Sequence, residues 1–216
     1  MNESRKKFLL FHLPKTGGVT VAWAFRKWLG KEKVTTLQRS KLPEALADLD
    51  PSFEAINGHF NYCDLGIHLE LNEWIQVVWL REPVKRVVSN FHYFKKTLRQ
   101  PKPHAVEMAR INAHRLEEPL MTYARYNENR NLMSGRLAGA SPEDFDFIGQ
   151  VEHIEEDLAR LAAMLGFDPL RVVKKKNAGT YEPALPEELA EIRELNSEDI
   201  AWHQEWKAVA DARAGR

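Results

Sequence analysis

The sequence predicts an α/β domain with a central parallel sheet covered by helices on both faces. Three observations carry that prediction. Two short apolar runs, Phe8 to Leu13 and Ile75 to Leu80, lack polar alternation, which suits strands buried on both sides. Each is followed within a few residues by a helical pattern, one opened by Gly17-Gly18 and the other by Pro83. The 216 residues suit one domain spanning 1–216, long enough to bury about 70% of the surface its unfolded chain exposes.

In order along the chain, Lys7-Phe-Leu-Leu-Phe-His-Leu13 is a strand bounded by charge and by Pro14. Thr16 to Leu29 is a helix closed at Gly30. Residues 31–51 are polar and broken by proline, a connection holding one short helix from Pro43 to Asp48. Phe53 to Gly58 forms a second strand, and Ile75-Gln-Val-Val-Trp-Leu80 is the clearest strand of all. The helix from Val84 to about Lys96 places Val84, Val87, Val88, Phe91 and Phe94 on one side. Gln100 to Pro103 is a loop, and residues 105–137 read as helical with a break at Pro119. Phe147 to Val151 is a short strand. The helix after it carries Ile154, Leu158, Leu161 and Leu165 at helical spacing and stops at Gly166. Arg171 to Lys174 is a candidate last strand, and helix resumes from Pro186. Trp202 and Trp206, four apart, pack against the core.

Composition removes several classes of function. Lys+Arg and Asp+Glu both number 31, so there is no basic excess of the kind a general nucleic-acid or membrane-surface binder shows. A single cysteine, Cys63, excludes a disulfide framework and a four-thiolate zinc site. No apolar run approaches about 18 residues, and the run after the basic N-terminus is too short for a secretory signal. The expectation is a soluble, cytoplasmic chain without an integral membrane segment.

Ligands of parallel α/β sheets bind beyond the carboxyl ends of the strands, so the strand-end loops carry the functional reading. The first strand ends in Leu13-Pro-Lys-Thr-Gly-Gly-Val-Thr20. Two glycines let backbone amides approach an anion closely, and the helix start adds unpaired donors. Lys15 adds a full charge, and Thr16 and Thr20 add hydroxyls. This is the chemistry of a phosphate cradle without being a Walker A loop, in which the lysine follows the glycines. The same residues also fit a plain strand-to-helix turn with a solvated lysine. The strongest strand ends in Trp79-Leu-Arg-Glu-Pro-Val-Lys-Arg-Val-Val-Ser-Asn90. An arginine directly after a buried strand needs a partner. Arg81 and Ser89 together make a clamp for a second phosphate, a guanidinium fork and a hydroxyl. Arg86, three before Ser89, shares its helix face. The competing reading is a surface pair between Arg81 and Glu82.

Taken together, Leu13-Pro-Lys-Thr-Gly-Gly and Leu80-Arg-Glu-Pro-Val-Lys-Arg-Val-Val-Ser-Asn-Phe-His-Tyr closely resemble two motifs of sulfotransferases that use 3′-phosphoadenosine 5′-phosphosulfate (PAPS). The resemblance is nearest to the carbohydrate group that includes the heparan sulfate 2-O- and 6-O-sulfotransferases. It continues through Asn57-Gly-His59, Asn131 to Gly135, Ile148 to Glu152 and Asn177 to Thr180. It implies a P-loop-NTPase-like sandwich over 1–216 and a sulfuryl transfer from PAPS to a hydroxyl acceptor on a carbohydrate, leaving the bisphosphate PAP. It further implies that Lys15, Thr16, Gly17, Gly18, Val19 and Thr20 hold the 5′-phosphosulfate, and that Arg81 and Ser89 hold the 3′-phosphate. A late basic segment lies over the nucleotide in such enzymes, which points to Lys176, Asn177 and Thr180 behind the run Lys174-Lys175-Lys176.

Transfer to an alcohol needs charge stabilised on the leaving phosphate, which suits Lys15, and a base for the acceptor proton. An imidazole titrates in the useful range. His59, at the end of the Phe53–Gly58 strand, is the first candidate, and the resemblance agrees with it. His12 is the competitor. The 2-O enzymes carry a further histidine two positions before that base, where this chain has Asn57. No HExxH pattern, cysteine pair or tight carboxylate cluster indicates a metal ligand set. Two other readings stay open: a nucleotide kinase on a P-loop-like fold, and a nucleotide- or glycan-binding module whose chemistry is lost. Arg81 stands where a kinase would need an acidic residue for magnesium, and intact Lys15 and His59 speak against the inactive module.

Overall fold

The computed structural model describes residues 7–37, 42–171 and 183–216. Five strands form one sheet: β1 (Phe8–Phe11), β2 (Val34–Leu37), β3 (Ala55–Gly58), β4 (Ile75–Leu80) and β5 (Phe147–Gln150). Their order is β2-β3-β1-β4-β5 and every pairing is parallel. The predicted fold class is therefore the observed one. Successive strand residues point to opposite faces, and both faces are apolar. Leu9, Phe11, Ile56, Val78, Leu80 and Ile148 form one core with Trp206 and Ala210 of the C-terminal helix α10 (Ser197–Ala214). Phe8, Leu10, Val77, Trp79 and Phe147 form the other, beneath α1 (Gly18–Leu29) and α8 (Ile154–Leu165). Trp206 stacks on Trp202 with 4.4 Å between ring centroids, the packing role expected of that pair. Gly149 has a local reason. It pairs with Trp79 across the β4–β5 ladder, and a Cβ there would overlap the indole.

Three segments differ from the sequence reading. Residues 34–37, read as connection, form β2, an edge strand in which only Val34 is buried, so its apolar signal is faint. The stretch read as helix over 105–137 is broken into α5 (Val106–Ile111), α6 (Leu120–Ala124) and α7 (Leu132–Arg136), separated by 3-10 turns. Asn131, with φ 44°, sets the start of α7. A five-residue helix, α3 (Tyr62–Gly66), follows β3; α2 (Leu42–Ala47) matches the expected short helix. The candidate strand from Arg171 to Lys174 lies outside the described residues but for Arg171.

Helix α4 (Pro83–Arg99) carries the second motif, and its start is built by sequence-local chemistry. Pro83 occupies the first helical position, and the Glu82 carboxylate accepts hydrogen bonds from the amides of Val84 (3.2 Å) and Lys85 (2.7 Å). Val84 and Val87 bury against α6 and against Ile192 of α9 (Pro186–Leu195). Arg86 is fully buried: it donates to the Asn129 carbonyl at 2.8 Å, and its Nε lies 3.9 Å from the Asp199 carboxylate of α10. Asp199 in turn accepts from the amides of Met133 and Ser134, so one buried carboxylate fixes α4 and α7 to α10. Among the described residues no helix is long and apolar enough to cross a membrane.

Candidate active site

The strand order turns back at β1, whose neighbours β3 and β4 are reached by separate excursions of the chain, and the crevice beyond its carboxyl end is where such sheets take ligands. The first loop fills that position. Lys15 has φ 70°, a left-handed backbone that costs an ordinary residue about 1–2 kcal/mol. Gly17 follows with φ 82° and begins the turn into α1. Gly18 is required by close approach: a Cβ there would overlap the His12 imidazole. Thr16 is fully buried, and its hydroxyl donates to the Leu13 carbonyl at 2.9 Å. The structure thus gives the Thr16 hydroxyl an internal tie. Thr20 is also buried and Val19 is exposed. The amides of Thr20 and Val21 already bond the Gly17 carbonyl, at 2.8 and 3.2 Å, so an anion at the start of α1 would be met by the Gly18 and Val19 amides ahead of them.

The second loop closes on the first. The Arg81 guanidinium donates to the Lys15 carbonyl at 3.1 Å, which joins the two motifs in one crevice. Ser89 lies two turns into α4 and is buried. The Lys15 ammonium stands 4.1 Å from the centroid of the Tyr93 ring. Burial, then Arg81, then Lys96 lower the Lys15 pKa to about 8. Cations held this close repel one another, and an anion in the crevice relieves the repulsion. Arg86 shares the α4 face only in the sense of spacing; its side chain belongs to the core.

His59 follows β3 directly and is exposed on one side. Its Nδ1 bonds the carbonyl oxygen of His12. A carbonyl only accepts, so Nδ1 carries the proton and Nε2 keeps its lone pair. Burial of the rest of the ring lowers the His59 pKa below the ordinary histidine value, the hydrogen bond to His12 opposes that, and Arg136 adds to it. The rings of His12 and His59 lie 4.2 Å apart, centroid to centroid. His12 itself is lowered to about 3, first by burial and then by His59 and Lys15, so it is neutral at any working pH. It serves as packing for Gly18 and as the carbonyl that orients His59. Asn57 is buried in β3, its amide 3.4 Å from the Thr36 hydroxyl of β2.

Lys15, Arg81, Ser89 and His59 thus come to the carboxyl edge of adjacent strands. Lys176, Asn177 and Thr180 lie outside the described residues. Tyr93, Lys96 and Arg136 escaped the sequence reading. For the first two a signal was present: Ser89, Tyr93 and Lys96 recur at intervals of four and three along one helix. Arg136, which donates to the Asn61 side chain at 2.9 Å beside His59, arrives from α7 by tertiary packing alone. Among the described residues no three His, Cys, Asp or Glu side chains are grouped to hold a metal ion.

The fold and the crevice define a parallel α/β domain that offers a cationic cradle to an anion and an oriented imidazole beside it. The comparison with known families is specific: the Sulfotransferase family matches residues 1–190, and the chain belongs to that family. No curated protein matches it. Among solved structures it is similar to mouse sulfotransferase SULT7A1 complexed with PAP, at 17% identity and a TM-score of 0.43, over 91% of this chain and 65% of that one. The chain therefore spans just under two thirds of that protein's length.

Proposed function

We propose that this chain transfers a sulfuryl group from PAPS to a hydroxyl, with a carbohydrate as the acceptor and PAP as the product. The observation that carries the reading is the bond from Arg81 to the Lys15 carbonyl, which makes the two anion-binding motifs a single crevice. A nucleotide with phosphate groups at both its 3′ and 5′ positions suits two such motifs. The donor set fits that ligand: Lys15 and the start of α1 for the 5′ side, Arg81 and Ser89 for the 3′ side. Carbohydrate as acceptor rests on the motif resemblance to the heparan sulfate group. Trp206, beyond the family match, packs in the same core as β1, which supports reading 1–216 as one catalytic domain.

PAPS supplies the activated sulfuryl group. His59 Nε2 takes the acceptor's hydroxyl proton, and its Nδ1–H stays on the His12 carbonyl to fix the ring. The acceptor oxygen bonds to sulfur as the sulfur–oxygen bond to the 5′-phosphate breaks. Lys15 meets the charge that develops on that phosphate, and positioning with electrostatics provides most of the rate. Thermal shift tests the ligand: PAP raises the melting temperature more than ATP with Mg²⁺ at equal concentration. The reverse order would favour the kinase reading.

A further inference from the structure

We propose that Tyr93 is a positioning residue of this site, the face of its ring holding the Lys15 ammonium against α4, one helical turn from Ser89. The inference deepens the proposed function and rests on it for the role of Lys15. The contact itself is plain: the ammonium lies 4.1 Å from the ring centroid, within cation–π range. The charged and titratable groups around Lys15 are Arg81 at the end of β4, Lys96 on α4 and His12 on its own loop. The first two are cations and the third is neutral, so among these only the tyrosine ring attracts the ammonium. It does so on the α4 face that also bears Ser89, since residues four apart share a face. The ring therefore keeps a partly buried cation in the crevice when no anion is bound there, against the push of Arg81 and Lys96. The phosphate-binding lysine is held ready beside the other phosphate-binding residues.

The test needs no nucleotide for its first part. Lys15 is acylated with a small excess of acetic anhydride across pH 6–10, and the label at this residue is followed by mass spectrometry. Only the neutral amine reacts, so the rate reports its ionisation. The wild type has its midpoint near 8. Tyr93→Phe keeps the ring face and the midpoint. Tyr93→Leu removes the stabilisation of the charged form and lowers the midpoint by about 0.5–1 unit. Tyr93→Gln is a second ring-free variant should leucine disturb folding; the half-buried position tolerates either. PAP affinity at pH 8 then falls by roughly two- to fivefold in the ring-free variants, as the charged fraction of Lys15 drops with that shift, and holds in Tyr93→Phe. An unmoved midpoint without the ring, or a shift in Tyr93→Phe as large as in Tyr93→Leu, overturns the proposal. A wild type that fails to bind PAP overturns the proposed function instead, and the labelling still decides the role of Tyr93.

Discussion

His59→Ala separates chemistry from scaffold in this molecule. The residue is exposed on one side, and its imidazole makes the bond from Nδ1 to the His12 carbonyl and a ring contact with His12, so alanine costs the fold about 1 kcal/mol. Its loss from the reaction is larger. A single general base contributes roughly 10²–10⁴-fold, about 3–5 kcal/mol of barrier, and kcat falls by that factor. PAP affinity is expected to hold, because the cations proposed to meet the nucleotide, Lys15 and Arg81, are untouched by the substitution. The pH profile gives a second, independent reading. The base works only when neutral, and burial lowers its pKa, so the wild-type kcat/KM rises with pH through a limb below the ordinary histidine value of 6.5. Lys15 works only when charged, so the same profile falls as pH rises through about 8. In His59→Ala the acid limb disappears and the alkaline limb stays. Steady-state kinetics from pH 5 to 9, with melting temperature and PAP affinity on the same preparations, provide every quantity. A variant with near-wild-type turnover, or one that keeps the acid limb, refutes the assignment.

Two further outcomes follow from the crevice. Arg81→Ala weakens PAP by about 2 kcal/mol, roughly 30-fold, through the lost charge-assisted contact, and weakens adenosine 5′-phosphate less; isothermal titration with both ligands checks this, and equal losses remove Arg81 from the 3′-phosphate. Gly18→Ala forces the His12 ring from its seat and costs about 1–3 kcal/mol of stability by overpacking, read by urea denaturation; an unchanged midpoint would show that the ring moves aside freely.

The elements legible in the sequence are those that bury apolar surface on their own. β1 and β4 are continuous apolar runs because both of their faces meet helices, and α8 shows its spacing because one stripe packs beneath the sheet. β2 hid because an edge strand needs little apolar surface; its Thr35 and Thr36 read as loop. The 105–137 region misled because short helices held by tertiary hydrogen bonds, such as the Asp199 carboxylate at the start of α7, need no long amphipathic period. The two loops were legible for the opposite reason. Glycine pairs after a strand and an arginine ending a buried one are local violations of good folding practice, and such violations concentrate at function.

What escaped the sequence is how the site residues act on one another. Nothing in Ile56-Asn-Gly-His59 says that the His12 carbonyl lies within reach of His59 Nδ1. The β1–β3 register brings it there, pairing Phe11 with Gly58 and placing the next residue of each strand side by side. That one contact orients the His59 ring and turns its Nε2 away from the His12 carbonyl, which supports His59 as the proposed base. The same neighbourhood that orients Nδ1 of His59 buries His12 and lowers its pKa to about 3, an asymmetry between the two imidazoles that comes from tertiary packing. Lys15 shows the same logic from the other side. Alone it reads as a solvated cation; between Arg81, Lys96 and the Tyr93 ring it becomes a charge whose protonation lies close to neutrality and is restored by an anion. Binding of a phosphate there takes up a proton, and affinity for PAP therefore declines as pH rises through 8 even where the chemistry of transfer plays no part.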